Sequence, residues 1–222
     1  MRELLREVLD LQANWSNVNT PPMQRRGILI RTEILSWIRP HLGAFSTLMG
    51  PSGTDLDVEG RDETGQKSEI PWVRIHSTSH SPSANEGWYC VYLFRTDGTG
   101  VYLCLEHAST RYQDGDFKPR SAEELASLVK WARNALGSLL TERSDLSTDI
   151  ELRGKGRLSP VYEQGTVCCK FYDVMDLPDE VKMVRDLTTF TGLLVRQESW
   201  RDPAGGRPVR VGRSGRPVVS VA

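Results

Sequence analysis

Aromatic and basic side chains crowd into two neighbouring segments of the chain. The aromatic members are Trp72, Trp88, Tyr89, Tyr92 and Tyr102, and Lys67, Arg74 and Arg95 lie among them. Aromatic residues in strands most often form core, because they pack well on a pleated surface. The alternative is a stacking site, since a base taken out of a duplex needs flat apolar faces and a few polar groups for its edge.

Three alternating acids, Asp55, Asp57 and Glu59, resemble the carboxylates of a metal-dependent nuclease strand. Such a site also needs a nearby Glu-x-Lys step, which the sequence does not supply. His76 and His80 stand four apart, a ligand spacing that works on a helix, but here they fall in a Ser/Pro segment and are expected to be solvated loop residues. A metal centre is therefore not predicted, and nuclease chemistry stays a minor alternative.

The segment 60–68 has two glycines followed by a lysine and a serine, which superficially resembles a phosphate-binding loop. That motif requires the lysine directly after the second glycine, and here Gln66 intervenes. A flexible loop is the simpler interpretation. The sequence also contains no Gly-x-Ser-x-Gly elbow, so neither a nucleotide cofactor nor hydrolase chemistry is predicted.

Composition and charge describe an ordinary folded domain. The chain has 222 residues, 38% hydrophobic and 26% charged, enough for a core of its own. The net charge of -1 hides an arginine-rich tail at 201–222 that carries +4 and leaves -5 for residues 1–200. A body of that charge would have to bind DNA through a local patch or pocket. We expect one domain over 1–200 and a linker or disordered tail over 201–222.

No apolar run approaches the length of a membrane span and the N-terminus lacks a signal-peptide pattern, so a cytoplasmic location without membrane contact is expected. The cysteines lie in apolar runs without a C-x-x-C pair. They are predicted to be reduced core residues.

The hydrophobic pattern predicts an α+β fold, with a single mixed or antiparallel sheet and helices packed on it. Four helices are expected. The first lies near residues 4–9, and the second begins at Pro21 and is stopped by Pro40. The third runs from a capping box at Ser121 to about Leu140, and the fourth begins at about Pro178 and has Val181 on its buried apolar stripe. Predicted strands are 69–75, a central hairpin at 88–105, 149–152 and 166–172, with a loop and at most one weak strand over 48–68.

The strongest clue is the order of several short motifs. An Ile-Pro-Trp-Val-Arg-Ile run at 70–75, an Asn-Glu-Gly step at 85–87, a Tyr-x-Val-Tyr-Leu-Phe strand at 89–94 and a Tyr-Glu-Gln-Gly run at 162–165 follow one another. In this order and spacing the sequence resembles the McrB-like N-terminal domain family over about residues 3–198.

The resemblance implies a non-catalytic domain that recognises modified cytosine, by flipping the methylated base into a pocket. Matched position by position, it places the pocket tryptophan on Trp72, the leucine on Leu93 and the tyrosine on Tyr162. Gln66, Lys67 and Arg74 are further candidate DNA contacts. The implied partners are modified double-stranded DNA and a nuclease or motor domain or subunit that cuts it.

The chain departs from the family at one point. The tyrosine that can precede the Pro-Trp strand corresponds here to about Thr64. If that tyrosine fills the gap left by a flipped base, this chain must use another wedge or engage its target differently. Two alternatives to a modified-DNA reader stay open: a stand-alone nuclease using the acids at 55–59, and a protein-interaction module that has lost the pocket.

Overall fold

The computed structural model describes residues 1–49 and 55–198. Its helices are α1 (Arg2–Gln12), α2 (Pro21–Ile28), α3 (Ile34–Met49), α4 (Ala122–Leu136), α5 (Ser138–Thr141), α6 (Ser159–Gly165) and α7 (Glu180–Glu198). Its strands are β1 (Leu56–Arg61), β2 (Trp72–Ser77), β3 (Trp88–Phe94), β4 (Gly100–His107), β5 (Thr110–Gln113), β6 (Asp116–Pro119) and β7 (Thr166–Asp173). The tail at 201–222 lies outside the described residues.

Five strands form one sheet in the order β1-β2-β3-β4-β7, and each neighbouring pair is antiparallel. Every residue of β3 and β4 is buried, as expected for central strands covered on both sides. The predicted α+β fold and its central hairpin are thus confirmed. The weak strand expected within 48–68 is β1, at the edge.

One face of the sheet is covered by α1, α3, α4 and α7. Strand residues Val73, Cys90, Tyr92, Phe94 and Leu103 belong to a continuous apolar core with helix residues such as Leu9, Ile38, Val129 and Leu187. Amphipathic helices bury an apolar stripe against such a surface, and this burial provides the main driving force for folding.

The second helix continues past Pro40, contrary to the prediction. α2 begins at Pro21 as expected, passes through one π-helical segment at Leu29–Glu33 and continues as α3, with Pro40 inside. Proline costs the helix one hydrogen bond, but Pro40 is exposed, so water can satisfy the freed carbonyl. The apolar stripe resumes at Leu42 and Phe45, which are buried.

Segment 149–152 is not a strand; only Ser147 bridges to β7, through Cys169. Its backbone groups are bound by side chains: the Leu152 N–H donates to Glu163, and the Glu151 carbonyl accepts from Arg95. A strand pattern read from sequence cannot foresee such partners.

Two helix details differ from expectation. The predicted N-cap of α4 is confirmed, since the Ser121 hydroxyl accepts the Glu124 N–H at 3.2 Å, but the Glu124 carboxylate binds Arg111 and Arg120, so the reciprocal half of the capping box is not formed. Gly137, with φ of 46°, separates α4 from the one-turn α5 that passes Leu140. Val181 is 70% exposed, because α7 turns Met183 and Leu187 toward the core instead.

The sequence interpretation missed two elements. The β5–β6 hairpin turns at Asp114 and Gly115, both with positive φ, and an Asp-Gly step of this kind is a strong hairpin signal. Helix α6 begins at Ser159-Pro160, where proline suits the first helical turn.

All four cysteines are free and buried, as predicted. None of the helices within 1–49 and 55–198 combines the length and the apolar character that a membrane crossing requires.

Candidate functional site

The second face of the sheet carries polar and aromatic side chains in three rows that run across the strands. The strand register pairs Trp72, Leu93, Tyr102 and Phe171 in the first row, Arg74, Val91, Cys104 and Cys169 in the second, and His76, Tyr89, Glu106 and Thr166 in the third. Directly paired residues of antiparallel strands project on the same side, so all twelve belong to one face. Segment 149–152 and helix α6 cover part of it, since Ile150, Leu152 and Tyr162 pack on its apolar cluster.

Trp72, Leu93 and Tyr162, far apart in sequence, meet on this face. Trp72 lies directly opposite Leu93 in the β2–β3 pairing, and Tyr162 from α6 packs on the same cluster. Leu93 is 1% exposed, whereas Trp72 and Tyr162 are only partly buried. Two accessible aromatic side chains around a buried leucine can offer flat surfaces to a planar ligand.

The environment of the Tyr162 hydroxyl keeps it neutral. Burial raises its pKa, and the charges of Glu106 and Glu63 raise it further, while a hydrogen bond with Trp72 acts in the opposite direction. The Tyr162 hydroxyl is therefore a hydrogen-bonding group beside the indole, not a charge.

Arg74 is held inside the same face. Only 1% of it is exposed, and its guanidinium binds the Glu59 carboxylate of β1 at 2.8 Å and the Ser81 carbonyl and hydroxyl at 3.2 and 3.0 Å. It also lies 5.6 Å from the ring centre of Tyr89. These bonds tie β1, β2 and the loop after β2 together, so Arg74 is engaged by the protein.

Glu106 is the least compensated polar group on this face. It is 1% exposed, and its Oε1 has no hydrogen-bond partner among the described residues. Burial raises the pKa of its carboxyl well above the usual value, which favours the protonated form. Close packing from α6 holds it there, because a Cβ on Gly165 would come within 3.2 Å of Oε1.

The loop at 62–71 is pinned by a buried ionic network, contrary to the expected flexible loop. Arg26 and Asp62 form a fully buried ion pair, and the Lys67 ammonium binds the Asp62 carboxylate at 3.2 Å. The Arg26 guanidinium also donates to the Ser68 carbonyl at 2.8 Å. Lys67 is thus committed to the loop, while Gln66 at its tip is exposed.

The acids and histidines do not gather as a metal site would require. Asp55 accepts hydrogen bonds from Ser77 and Ser79, and Glu59 accepts from Arg61 and Arg74. Within 1–49 and 55–198, no three His, Cys, Asp or Glu side chains are grouped to hold a metal ion.

His76 is not the solvated loop residue that was expected. It lies at the end of β2 with 6% exposure, and burial together with the nearby Arg74 charge lowers its pKa. Strand pairing with β3 continues through His76, opposite Tyr89, which places it inside the sheet.

A basic loop at 153–157 lies beside this face. It was assigned no function from the sequence, because it falls between two predicted strands. Its sequence is Arg-Gly-Lys-Gly-Arg. The carboxylate of Glu69, three residues before Trp72, accepts the backbone N–H groups of Lys155 and Gly156 at 2.8 and 2.7 Å. Alternating glycine and basic residues were the available signal for an anion-contacting loop.

The fold and this face define a class: an α+β domain with an antiparallel sheet, closed by helices on one side and partly open over an aromatic cluster on the other. The chain belongs to the MrcB-like, N-terminal domain family, which matches residues 11–196. Comparison with curated proteins and with solved structures gives no match.

Proposed function

We propose that this chain is the recognition domain of a modification-dependent restriction system and binds double-stranded DNA carrying a modified base, with 5-methylcytosine as the first choice. The base would leave the duplex and stack on Trp72 and Tyr162 above Leu93. One observation carries the proposal: the three residues that the family resemblance assigns to the pocket, at positions 72, 93 and 162, lie on one face with both aromatics accessible.

The energetics fit a site of this size. Flipping a base costs a few kcal/mol, and stacking on an aromatic side chain returns about 1–3 kcal/mol. A C5-methyl group buried against Leu93 adds only about 0.8 kcal/mol. Discrimination must therefore also come from the fit around the base, and affinity from contacts to the DNA backbone.

Gln66 is the side chain we assign to the space that the flipped base vacates. The family's tyrosine is replaced at about Thr64, and Gln66 is exposed on a loop that the Arg26–Asp62 ion pair pins in place. The loop runs directly into β2, which begins at Trp72. An amide could hydrogen-bond the orphaned partner base, which a tyrosine ring would do less well. Lys67 and Arg74, being engaged inside the protein, would position this loop and face without touching DNA.

In this proposal the domain targets and a nuclease or motor domain or subunit cuts. The acids at 55–59 support that division, because Glu59 is paired with Arg74 and Asp55 is bound by two serines. The domain would span residues 1–200, with 201–222 as a separate arm.

The test is a binding panel. The full chain is titrated with duplexes of one sequence that carry cytosine, 5-methylcytosine, 5-hydroxymethylcytosine, N4-methylcytosine or N6-methyladenine at one position. We expect tighter binding to at least one modified cytosine, accompanied by brightening of a 2-aminopurine placed beside the mark as the stack opens. Equal affinity for all duplexes would overturn the proposal, and Mg²⁺-dependent cutting by the chain alone would favour the nuclease alternative.

A further inference from the structure

The loop at 153–157 is built to face an anion. Arg153 has φ of 59°, in the left-handed region, and the successive N–H groups of Lys155 and Gly156 converge on the two oxygens of the Glu69 carboxylate. Successive N–H groups that converge in this way form an anion-binding concavity. Glu69 fills that concavity with a group of the protein's own.

The loop is closely packed at both of its glycines. A Cβ on Gly156 would come within 2.7 Å of the Glu69 Oε2, and a Cβ on Gly154 would come within 2.7 Å of the Ser159 side chain. The loop is therefore fitted closely against both the segment before β2 and the start of α6.

The side chains of the loop divide into one that is paired and two that are not. Arg153 binds Asp97 at 2.7 Å and also contacts Glu151. Lys155 and Arg157 are exposed, and neither forms an ion pair with any residue in the described part of the chain. Two cations on a loop whose backbone is already fixed are free to bind phosphate groups of a ligand.

The position of the loop connects it to the candidate pocket. Leu152, just before the loop, belongs to the same cluster as Trp72 and Tyr162, and Glu69 stands three residues before Trp72. Tyr162 follows the loop by one short helical turn. The loop is thus joined to the segments that carry both aromatic side chains, through Glu69 to the start of β2 and directly to α6.

We propose that Lys155 and Arg157 bind the phosphodiester groups of duplex DNA on either side of the flipped nucleotide, with Glu69 as a positioning residue that fixes their loop. This inference rests on the proposed function, and adds to it a backbone-binding site. Phosphate contacts set the register of a protein on DNA but carry no sequence information, so this site supplies affinity while the aromatic pocket supplies selectivity.

The test compares two double variants of the full chain that remove the same charge. Lys155→Ala/Arg157→Ala alters the loop, and Arg2→Ala/Arg185→Ala removes two exposed arginines from α1 and α7 on the helix-covered side. Dissociation constants for modified and unmodified duplex are measured over a range of salt concentrations. Each lost phosphate contact lowers the slope of log K against log salt by about 0.9.

We expect the loop variant to lower the slope by about 2 on both duplexes, without changing the ratio between them, and the helix variant to leave it unchanged. An unchanged slope in the loop variant, or an equal fall in both variants, would overturn the inference. A fall confined to the loop variant, in a chain with no preference for modified duplex, would support this site and overturn the modified-base proposal. A preference for modified duplex, together with an unchanged slope in the loop variant, would support the modified-base proposal and overturn this site.

Glu69→Gln tests the positioning role separately. The amide keeps the shape but offers one acceptor oxygen to two N–H groups, so the loop should loosen and the affinity for both duplexes should fall, with thermal melting confirming that the variant is folded. If Glu69 instead occupied the place of a phosphate, the variant would bind DNA more tightly than the wild type, and that gain would contradict its role as a positioning residue.

Discussion

The two faces of the central sheet differ in what they bury. The helix-covered face is almost entirely apolar, and four helices close it over residues such as Phe94 and Leu103. The opposite face holds Arg74, His76 and Glu106 among its aromatics, and is covered by segment 149–152, one short helix and the loop after β2, which binds Arg74 and Tyr89. Burying ionisable groups costs stability unless they are paired. We call the first the stabilising face, and the second, which we propose binds DNA, the binding face.

The largest expected effect comes from emptying the stabilising face. Trp88 is 6% exposed and packs against His107 and Trp131, with ring centres 4.6 and 6.0 Å away. Trp88→Ala should lower the free energy of unfolding by about 3–5 kcal/mol, because it leaves a large cavity. Denaturant titration measures this loss. As a control, Phe117→Ala, at a side chain that is 51% exposed, should change stability by no more than about 0.5 kcal/mol.

A somewhat smaller loss should follow from breaking the ionic network that pins the loop at 62–71. Asp62→Ala leaves the Arg26 and Lys67 charges buried without their partner, which costs about 3 kcal/mol. Because the loop carries Gln66, which we propose fills the space left by the flipped base, DNA affinity should also fall. A variant with wild-type stability would show that the loop is not held by this network; Glu63→Ala, at an exposed position of the same loop, is the matched control.

Glu106 gives a pH-dependent prediction with a definite sign. The folded protein keeps the proton on this carboxyl above the ordinary pKa of 4.5, whereas the unfolded chain releases it. The protonated carboxyl therefore makes its whole contribution to the free energy of unfolding below about pH 4.5. This contribution is lost as the pH rises toward the folded-state pKa, by up to about 1.4 kcal/mol per pH unit.

The variant Glu106→Gln cannot ionise and should lose this dependence. Its melting temperature relative to the wild type should be higher at pH 8 than at pH 5. A constant difference across that range would mean that Glu106 is ionised in the folded protein, and would remove the contrast between the two faces at this position.

Local signals in the sequence predicted the stabilising face well. The hairpin of β3 and β4 follows from an Asp-Gly turn between apolar runs, and the helix stripes follow from 3.6-residue spacing. The binding face was predicted less well. Lys67 was expected to contact DNA, and its burial was not predicted. Its partner Asp62 is itself held by Arg26, 36 residues earlier, and such distant pairings leave no local pattern.

The pocket residues themselves came from the resemblance to a family and not from periodicity. Tyr162 lies on α6, a helix of seven residues with no clear apolar stripe, so nothing in its own segment indicated that it would reach the sheet. The loop at 153–157 had a visible Gly/basic pattern, but only its bond to Glu69 places it beside Trp72.

The most direct test of the account is Trp72→Ala. We expect a folded protein with an unchanged melting temperature that has lost about five- to hundredfold in affinity for modified duplex, as removal of one stacking contact predicts, while binding to unmodified duplex is retained. Trp88→Ala, on the helix-covered face, should show the opposite pair of results: a large fall in melting temperature and unchanged discrimination. If Trp72→Ala instead melts far below the wild type, or still prefers modified DNA, Trp72 is a structural residue and the face it lies on is not the base-binding site.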